Sequence, residues 1–320
     1  MIEQIKTETK ADWLALRKSG IGGSDIGAIM GLSRFRTAYD VYLEKTGQKA
    51  PDPDNNAIHW GNVLEDVVAK EYQGRTGRKV QRINQMMRHP DYDFVIGNID
   101  RAVVNPDIMG NVRWKDGRLT TDRILECKTA NGFTAKLWGD AGTDYVPDAY
   151  LTQVQWYMLL TGCQYADLAV LIGGQDYRIY NINRDDDLIT YMLEYARTFW
   201  NNTVKGIPPT PTTAAEAGHK FANAAAGKAV ELDTSFSSEF QRLKQIKEET
   251  KALADEEDSI KARIMSAMAD AETATLDGIT VCTWKGSTTN RFDSKAFKEA
   301  QPDLYKQYTK ATTGRRFLVK

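Results

Sequence analysis

The sequence predicts an α/β protein, a central mixed sheet flanked by helices, followed by a second part built on one long helix. Three observations carry this. Apolar runs of strand length cluster between residues 79 and 183, with helix-period segments before, between and after them. A stretch rich in Pro, Ala, Gly and Thr at 206–229 breaks that pattern. Beyond it, apolar residues fall three and four apart across a strongly charged segment.

The elements follow in order. Trp13, Leu14 and Leu16 mark a short helix that the glycines between Gly20 and Gly23 break. Ser24-Asp25 reads as the N-cap of a second helix ending near Gly31, and a third runs from about Thr37 to Lys45. APDPDNNA at 50–57 is a loop by composition. From His59 to Thr76, Val63, Leu64, Val67, Val68 and Tyr72 recur at helical steps, and Gly77 ends the run. Residues 79–87, 93–104 and 122–129 read as strands, the last two flanking a hairpin-like insert over 105–120. A helix over 148–160, strands over 166–173 and 176–183, and a helix over 185–203 complete the first part. This assigns 1–208 to one domain, 209–235 to a linker and 236–320 to a C-terminal module. In that module Phe236, Phe240, Leu243, Thr250, Leu253, Ile260, Ile264 and Ala267 predict a long amphipathic helix. Lys247 and Glu257 interrupt its heptad seam. A hairpin turning at Asp277-Gly278 follows, and the tail reads as strand, helix, strand.

Composition excludes several classes. Cys127, Cys163 and Cys282 are too widely spaced for a disulfide framework or a zinc motif, and three histidines make a His-based metal cluster improbable. No apolar run approaches the ~18 residues of a membrane span, and MIEQIKTETK lacks a signal-peptide core, so a cytoplasmic protein is expected. Lys and Arg total 42 against 43 Asp and Glu, which gives no overall basic footprint for nucleic acid. If DNA is the substrate, the positive charge must be local.

The most informative stretch is Asp100, followed after the insert by Ile124-Leu125-Glu126-Cys127-Lys128. Two carboxylates on adjacent strands suit a divalent metal such as Mg²⁺, which takes oxygen ligands. Lys128, two residues beyond Glu126, projects to the same face, where it can orient a water or stabilise developing charge. On its own the pattern is common, because strands carry Glu-x-Lys pairs for solubility. Upstream, Glu65 adds a carboxylate on a helix, and Gln153 and Tyr157 lie one helical turn apart downstream.

Five segments in order resemble the YqaJ-type viral recombinases and the lambda exonuclease, of the PD-(D/E)xK nuclease superfamily. They are W-x-x-L-R-x(6)-S at Trp13–Ser24, W-G-x-x-x-E at Trp60–Glu65, the strand acid Asp100, L-E-C-K at Leu125–Lys128, and Q-V-Q at Gln153–Gln155. The resemblance spans about Trp13 to Pro208 and implies that Asp100, Glu126 and the main-chain carbonyl of Cys127 bind metal. It places Glu65 at a second ion or in its water shell, makes Lys128 orient the attacking water, sets Gln153 at the scissile end and counts Tyr157 among the DNA or 5′-phosphate contacts. Arg17 and Ser24 become the pocket for a 5′-phosphate, Arg through charge-assisted bonds and Ser24 at a helix start, with Lys18, Ser19 and Arg34 as weaker DNA contacts. One departure is Ile99-Asp100-Arg101, where the family usually carries Pro-Asp-Gly.

The function implied is a Mg²⁺-dependent exonuclease, with Mn²⁺ as a substitute and two ions per site. It would run 5′→3′ on double-stranded DNA ends and leave 3′ tails for a phage-type annealing protein. A ring-shaped homotrimer is the implied assembly. A structure-specific or endonucleolytic enzyme, or a non-catalytic adaptor, are the alternatives. Trp13, Trp60 and Trp156 are expected in the core, and Gln153 either touches DNA or braces Glu126. The basic, aromatic tail from Lys285 to Lys320 serves either DNA binding or packing.

Overall fold

A short strand β1 (Glu3–Ile5) precedes helices α1 (Lys10–Lys18), α2 (Gly23–Ile29) and α3 (Ala38–Lys45) in the computed structural model. It describes residues 3–5, 9–49, 55–108, 110–115, 118–310 and 315–319. Thr9 and Thr37 cap α1 and α3, and Asp12 and Asp40 reach back to complete capping boxes. Helix α2 begins earlier than its sequence suggests. Gly22 is its N-cap, and Ser24 and Asp25 fall in the first turn, where Asp25 accepts the Gly22 N–H at 2.9 Å. Helix α4 (Asn56–Thr76) is one continuous element ending at Gly77. Most of the loop expected before it, residues 50–54, lies outside the described residues.

The two strands expected over 79–87 and 93–104 each divide. The first gives β2 (Val80–Arg82) and β3 (Met86–Arg88), the second β4 (Ile96–Gly97) and β5 (Arg101–Val103). β3 pairs with β1 and β4 in a small sheet, while β2 and β5 join the central one. An apolar run says that a segment is extended, but not that its two halves serve different sheets. The insert forms a small hairpin, β6 (Trp114–Lys115) and β7 (Arg118–Leu119). Then come β8 (Arg123–Ala130), an unanticipated 3₁₀ helix (Gly132–Leu137), α5 (Asp148–Thr161), β9 (Tyr165–Ile172), β10 (Asp176–Asn183) and α6 (Asp186–Val204).

The central sheet has the order β10-β9-β8-β5-β2. β8 and β9 are parallel, joined by the crossover through α5, and the remaining pairs are antiparallel. The expected mixed sheet between helices is therefore what forms. Leu125 and Cys127 pack with Val68, Ala69 and Tyr72 of α4, whereas Ile124 belongs to the larger core that includes Val154 and Trp156 of α5. The period-two alternation of β8 thus sends residues 124, 126 and 128 to the α5 side. Trp156 is fully buried and donates from Nε1 to the carbonyls of Ile21 and Ile96, tying α5 to both segments. The other two tryptophans expected inside are not there: Trp60 is 56% exposed and Trp13 is part-exposed. Helix α4, which packs one face on the sheet, has room outside for the Trp60 ring.

The described chain divides into two compact units, Met1–Glu216 and Ala217–Lys320. The division falls within the segment read as a linker, which also carries helix α7 (Ala214–Lys220). The second unit holds α8 (Phe236–Met268), 33 residues without interruption. Hairpin β11 (Thr273–Leu276) and β12 (Ile279–Thr283) follows, then α9 (Ser294–Ala300) and α10 (Pro302–Gln307). Asp277 and Gly278 both take positive φ, as a tight two-residue turn demands. The strand–helix–strand expected of the tail is corrected to two consecutive helices, with no strand among its described residues. Asp293 caps α9 and Pro302 opens α10, local helix signals that outweigh the aromatic content.

Candidate active site

The ladder between β5 and β8 stops at Arg101↔Leu125, and the next position is where the acids meet. Asp100 lies just before β5, and its Oδ2 accepts the Cys127 N–H at 2.8 Å, replacing a backbone partner with a carboxylate. Glu126 is buried on the α5 face of β8. Its Oε1 accepts from Lys128 Nζ at 2.6 Å and from Gln153 Nε2 at 2.7 Å. Its Oε2 is buried with no hydrogen-bond partner. A buried carboxylate oxygen without a donor is costly, which is why such groups are rare outside functional sites.

The electrostatics follow from this burial. Desolvation, then the neighbouring Asp100 charge, push the Glu126 carboxyl up to about 8 against the attraction of Lys128. Burial raises Asp100 as well, opposed by Lys128 and the Cys127 N–H. Lys128 loses to desolvation but gains more from Glu126 and Asp100, so its ammonium is held above the ordinary lysine value. The same ammonium lies 5.3 Å from the centre of the Tyr150 ring, a cation–π contact not apparent from sequence. The Cys127 thiol is buried and pushed up, inert as a nucleophile.

Glu65, expected at a second ion or in its water shell, is held by two arginines. Its Oε1 accepts from Arg101 Nη1 at 2.7 Å and from Arg82 Nη2 at 2.9 Å. Arg101 occupies the position where the resemblance predicts glycine, and its buried guanidinium also pairs with Asp66. The substitution therefore brings its own counter-charges, and they include Glu65. Among the described residues no group of three or more His, Cys, Asp or Glu side chains is arranged to hold a metal ion. What the site offers is two carboxylates, one with a bare oxygen, and the Cys127 peptide. An all-oxygen set of this kind fits a hard cation such as Mg²⁺.

Gln153 and Tyr157 stand one turn apart on α5, and Gln153 Nε2 also donates to Tyr157 Oη at 3.2 Å. Gln153 is thus committed to bracing Glu126 and Tyr157, and both side chains are buried. A Cβ on Gly23 would come within 2.6 Å of the Tyr157 ring, so glycine at the start of α2 lets that helix approach Tyr157 closely.

Next to that approach lies a second charged cluster. Arg17 Nη2 donates to Ser24 Oγ at 3.3 Å, which brings the two residues expected to receive a phosphate together. Arg17 Nε bonds Glu44 Oε1 at 3.0 Å, and Arg36 Nη2 bonds Glu44 Oε2 at 2.6 Å. Arg36 Nη1 and Lys45 Nζ reach Asp25 at 2.9 and 2.6 Å. Burial alone would raise Asp25, but Lys45, Arg17 and Arg36 outweigh it and hold the carboxyl well below the usual range. Asp25 is therefore the buried hub of a cation cluster, not merely a helix-end charge. Arg36, Lys45 and Glu44 carry no sequence signal beyond their place around α3. Arg34, an expected DNA contact, is exposed, and Ser19 accepts from Arg88 at 2.8 Å.

The class that fold and site define is an α/β chain with two carboxylates and a lysine gathered where two strands of a mixed sheet meet. Residues 12–164 match the family described as the YqaJ-like viral recombinase domain. The chain is 34% identical over 320 residues to the uncharacterized protein YqaJ of Bacillus subtilis (strain 168), covering 98% of this chain and 94% of that one. It belongs to the YqaJ family. A more distant relative is the uncharacterized protein R354 of Acanthamoeba polyphaga mimivirus, 24% identical over 162 residues, 50% of this chain and 28% of that protein. Among solved structures it is similar to an alkaline exonuclease from Laribacter hongkongensis, at TM-score 0.48 and 20% identity, over 62% of this chain and 94% of that one. A phage-related exonuclease from Haemophilus somnus 129PT matches at TM-score 0.41 and 15% identity, over 61% and 98%. No described helix is long and apolar enough to cross a membrane.

Proposed function

We propose that this chain is a metal-dependent DNA nuclease of the PD-(D/E)xK type, acting 5′→3′ as an exonuclease on linear double-stranded ends. The observation that carries the reading is Glu126, a buried carboxylate with one bare oxygen, beside Asp100 and gripped by Lys128 and Gln153. Asp100, Glu126 and the Cys127 carbonyl would hold Mg²⁺, with Mn²⁺ as a substitute. The bound cation supplies charge neutralisation at the phosphate and a more acidic water. Of the two ions the resemblance implies, the donor set fits one. Glu65, the donor for the other, is already paired with two arginines.

The chain's own residues do the remaining work. Gln153 fixes the Glu126 carboxylate in one orientation, and Lys128 sets a cation where charge builds on a phosphate or water. Arg17 and Ser24, one close helix contact away past Gly23 and Tyr157, would take the terminal 5′-phosphate and so fix where the chain is cut. The product is then a 3′ tail for an annealing protein of the phage type in a host cytoplasm, and a ring-shaped trimer would enclose the duplex. Glu126→Ala is expected to abolish chelator-sensitive degradation of 5′-phosphorylated linear duplex while leaving the melting profile cooperative. Undiminished degradation by the folded variant sinks the reading. Equal attack on covalently closed circular DNA by the parent protein sinks its exonuclease part alone.

A further inference from the structure

The geometry points to Glu44 as a displaceable stand-in for the substrate's terminal phosphate, seated on the arginines that the phosphate takes over. The inference rests on the proposed 5′-phosphate role of the cluster around Arg17. Glu44 spans two guanidiniums with its two oxygens, one on Arg17 and one on Arg36, much as two oxygens of a phosphate would.

The two carboxylates of the cluster differ in a way that separates scaffold from occupant. The Asp25 side chain is 0% exposed, and besides Lys45 and Arg36 it accepts the Gly22 N–H. It cannot leave without stranding three partners. The Glu44 side chain is 21% exposed, beside arginines that are 27% and 22% exposed, so it sits at the mouth. Arg36 Nε, meanwhile, is buried and bonds nothing, a donor still to be used.

Charge bookkeeping gives the exchange its selectivity. Arg17, Arg36 and Lys45 against Asp25 and Glu44 leave one net positive charge; with Glu44 swung out, two remain. A phosphomonoester carries about −1.5 to −2 at neutral pH. A terminal phosphate therefore replaces what it displaces and more, whereas a 5′-hydroxyl offers no charge at all. Glu44 keeps the guanidiniums paired and aimed until a dianion arrives, and lowers affinity for anything weaker.

The test measures binding, free of metal and catalysis. The Glu126→Ala protein, in chelator, is titrated with fluorescent duplex bearing 5′-phosphate or 5′-hydroxyl ends. Adding Glu44→Gln, which keeps the shape and removes the charge, is expected to raise the ratio of the two Kd values about tenfold, the worth of one charged hydrogen bond. Glu44→Asp, too short to span both arginines, raises it by less and serves if the glutamine variant does not fold. A ratio that stays or falls overturns the proposal, since a carboxylate needed to hold the arginines in place would weaken phosphate binding when lost. Arg17→Ala in the same background separates the two failures. A preference that Arg17→Ala abolishes and Glu44→Gln does not strengthen refutes the role of Glu44 alone. A parent ratio of one removes the phosphate pocket, and Glu44's role with it.

Discussion

The two charged clusters on either side of Tyr157 are built on opposite plans. Around Glu126, one buried carboxylate and the part-buried Asp100 share a single ammonium, and one oxygen of Glu126 is left bare. Around Asp25, three cations converge on one buried carboxylate, and two of them, Arg17 and Arg36, also pair with a second, Glu44. The first cluster lacks a cation and the second has one to spare. That difference teaches why a chain with near-zero net charge can serve a polyanion: the charge that matters is sorted locally, acid where a metal would sit and base where a phosphate would. It also sets different penalties for damage. Removing a group from the acidic cluster should cost turnover; removing one from the basic cluster should cost recognition of the end.

The largest expected effect is therefore at Lys128. Lys128→Met keeps an unbranched aliphatic stem but deletes the ammonium, and kcat on 5′-phosphorylated duplex should fall about 10²–10⁴-fold. KM should move far less, because the lysine acts on the reacting centre. A kcat within a few fold of wild type would break the contrast from the acidic side. Next in size is Arg17→Ala, expected to cut the preference for 5′-phosphate over 5′-hydroxyl ends about tenfold through kcat/KM, with kcat at saturation little altered. If Arg17→Ala instead lowers both ends equally, the basic cluster is part of the scaffold and not a reader of the end.

How much of this was legible differs between the clusters for a physical reason. Asp100, Glu126 and Lys128 announce themselves because a strand's alternation ties residue 126 to 128, and an apolar run before each acid marks where the strand is buried. Gln153 and Tyr157 share a helix face, so their meeting could also be read. Arg17 and Ser24 are seven residues apart across a glycine break and were reached only through resemblance. Arg36, Glu44 and Lys45 come from a different helix and its cap, and nothing local says that α3 will fold its end against α1 and α2. Arg101 was readable only as a missing glycine; that its guanidinium would occupy Glu65 depends on the register of β2, β5 and α4. The divided strands failed for a related reason, since sheet membership is a tertiary property.

The smallest expected effect separates the clusters by pH. Glu126 sits at about 8 in the folded chain against an ordinary 4.5, so between those values the folded state keeps a proton that the unfolded state has released. Stability contributed there declines as pH rises through the window and levels off above it. Asp25 works in reverse. Its folded value lies below the ordinary 3.8, so its contribution is intact above that and fades only as pH falls further. The basic cluster therefore limits stability in acid, and the acidic one limits it in alkali. Glu126→Gln removes the alkaline limit while Lys128 keeps Asp100 as counter-charge. In chelator, the variant and the wild type should melt together near pH 5, and the variant should melt about 3 °C or more higher at pH 8.5, the shift expected for roughly 1 kcal/mol. Adding Mg²⁺ should close that gap from the wild-type side, because only the intact carboxylate gains a partner. Parallel melting curves across the whole range would mean that Glu126 is ionised without penalty, and the contrast between the clusters would lose its energetic basis.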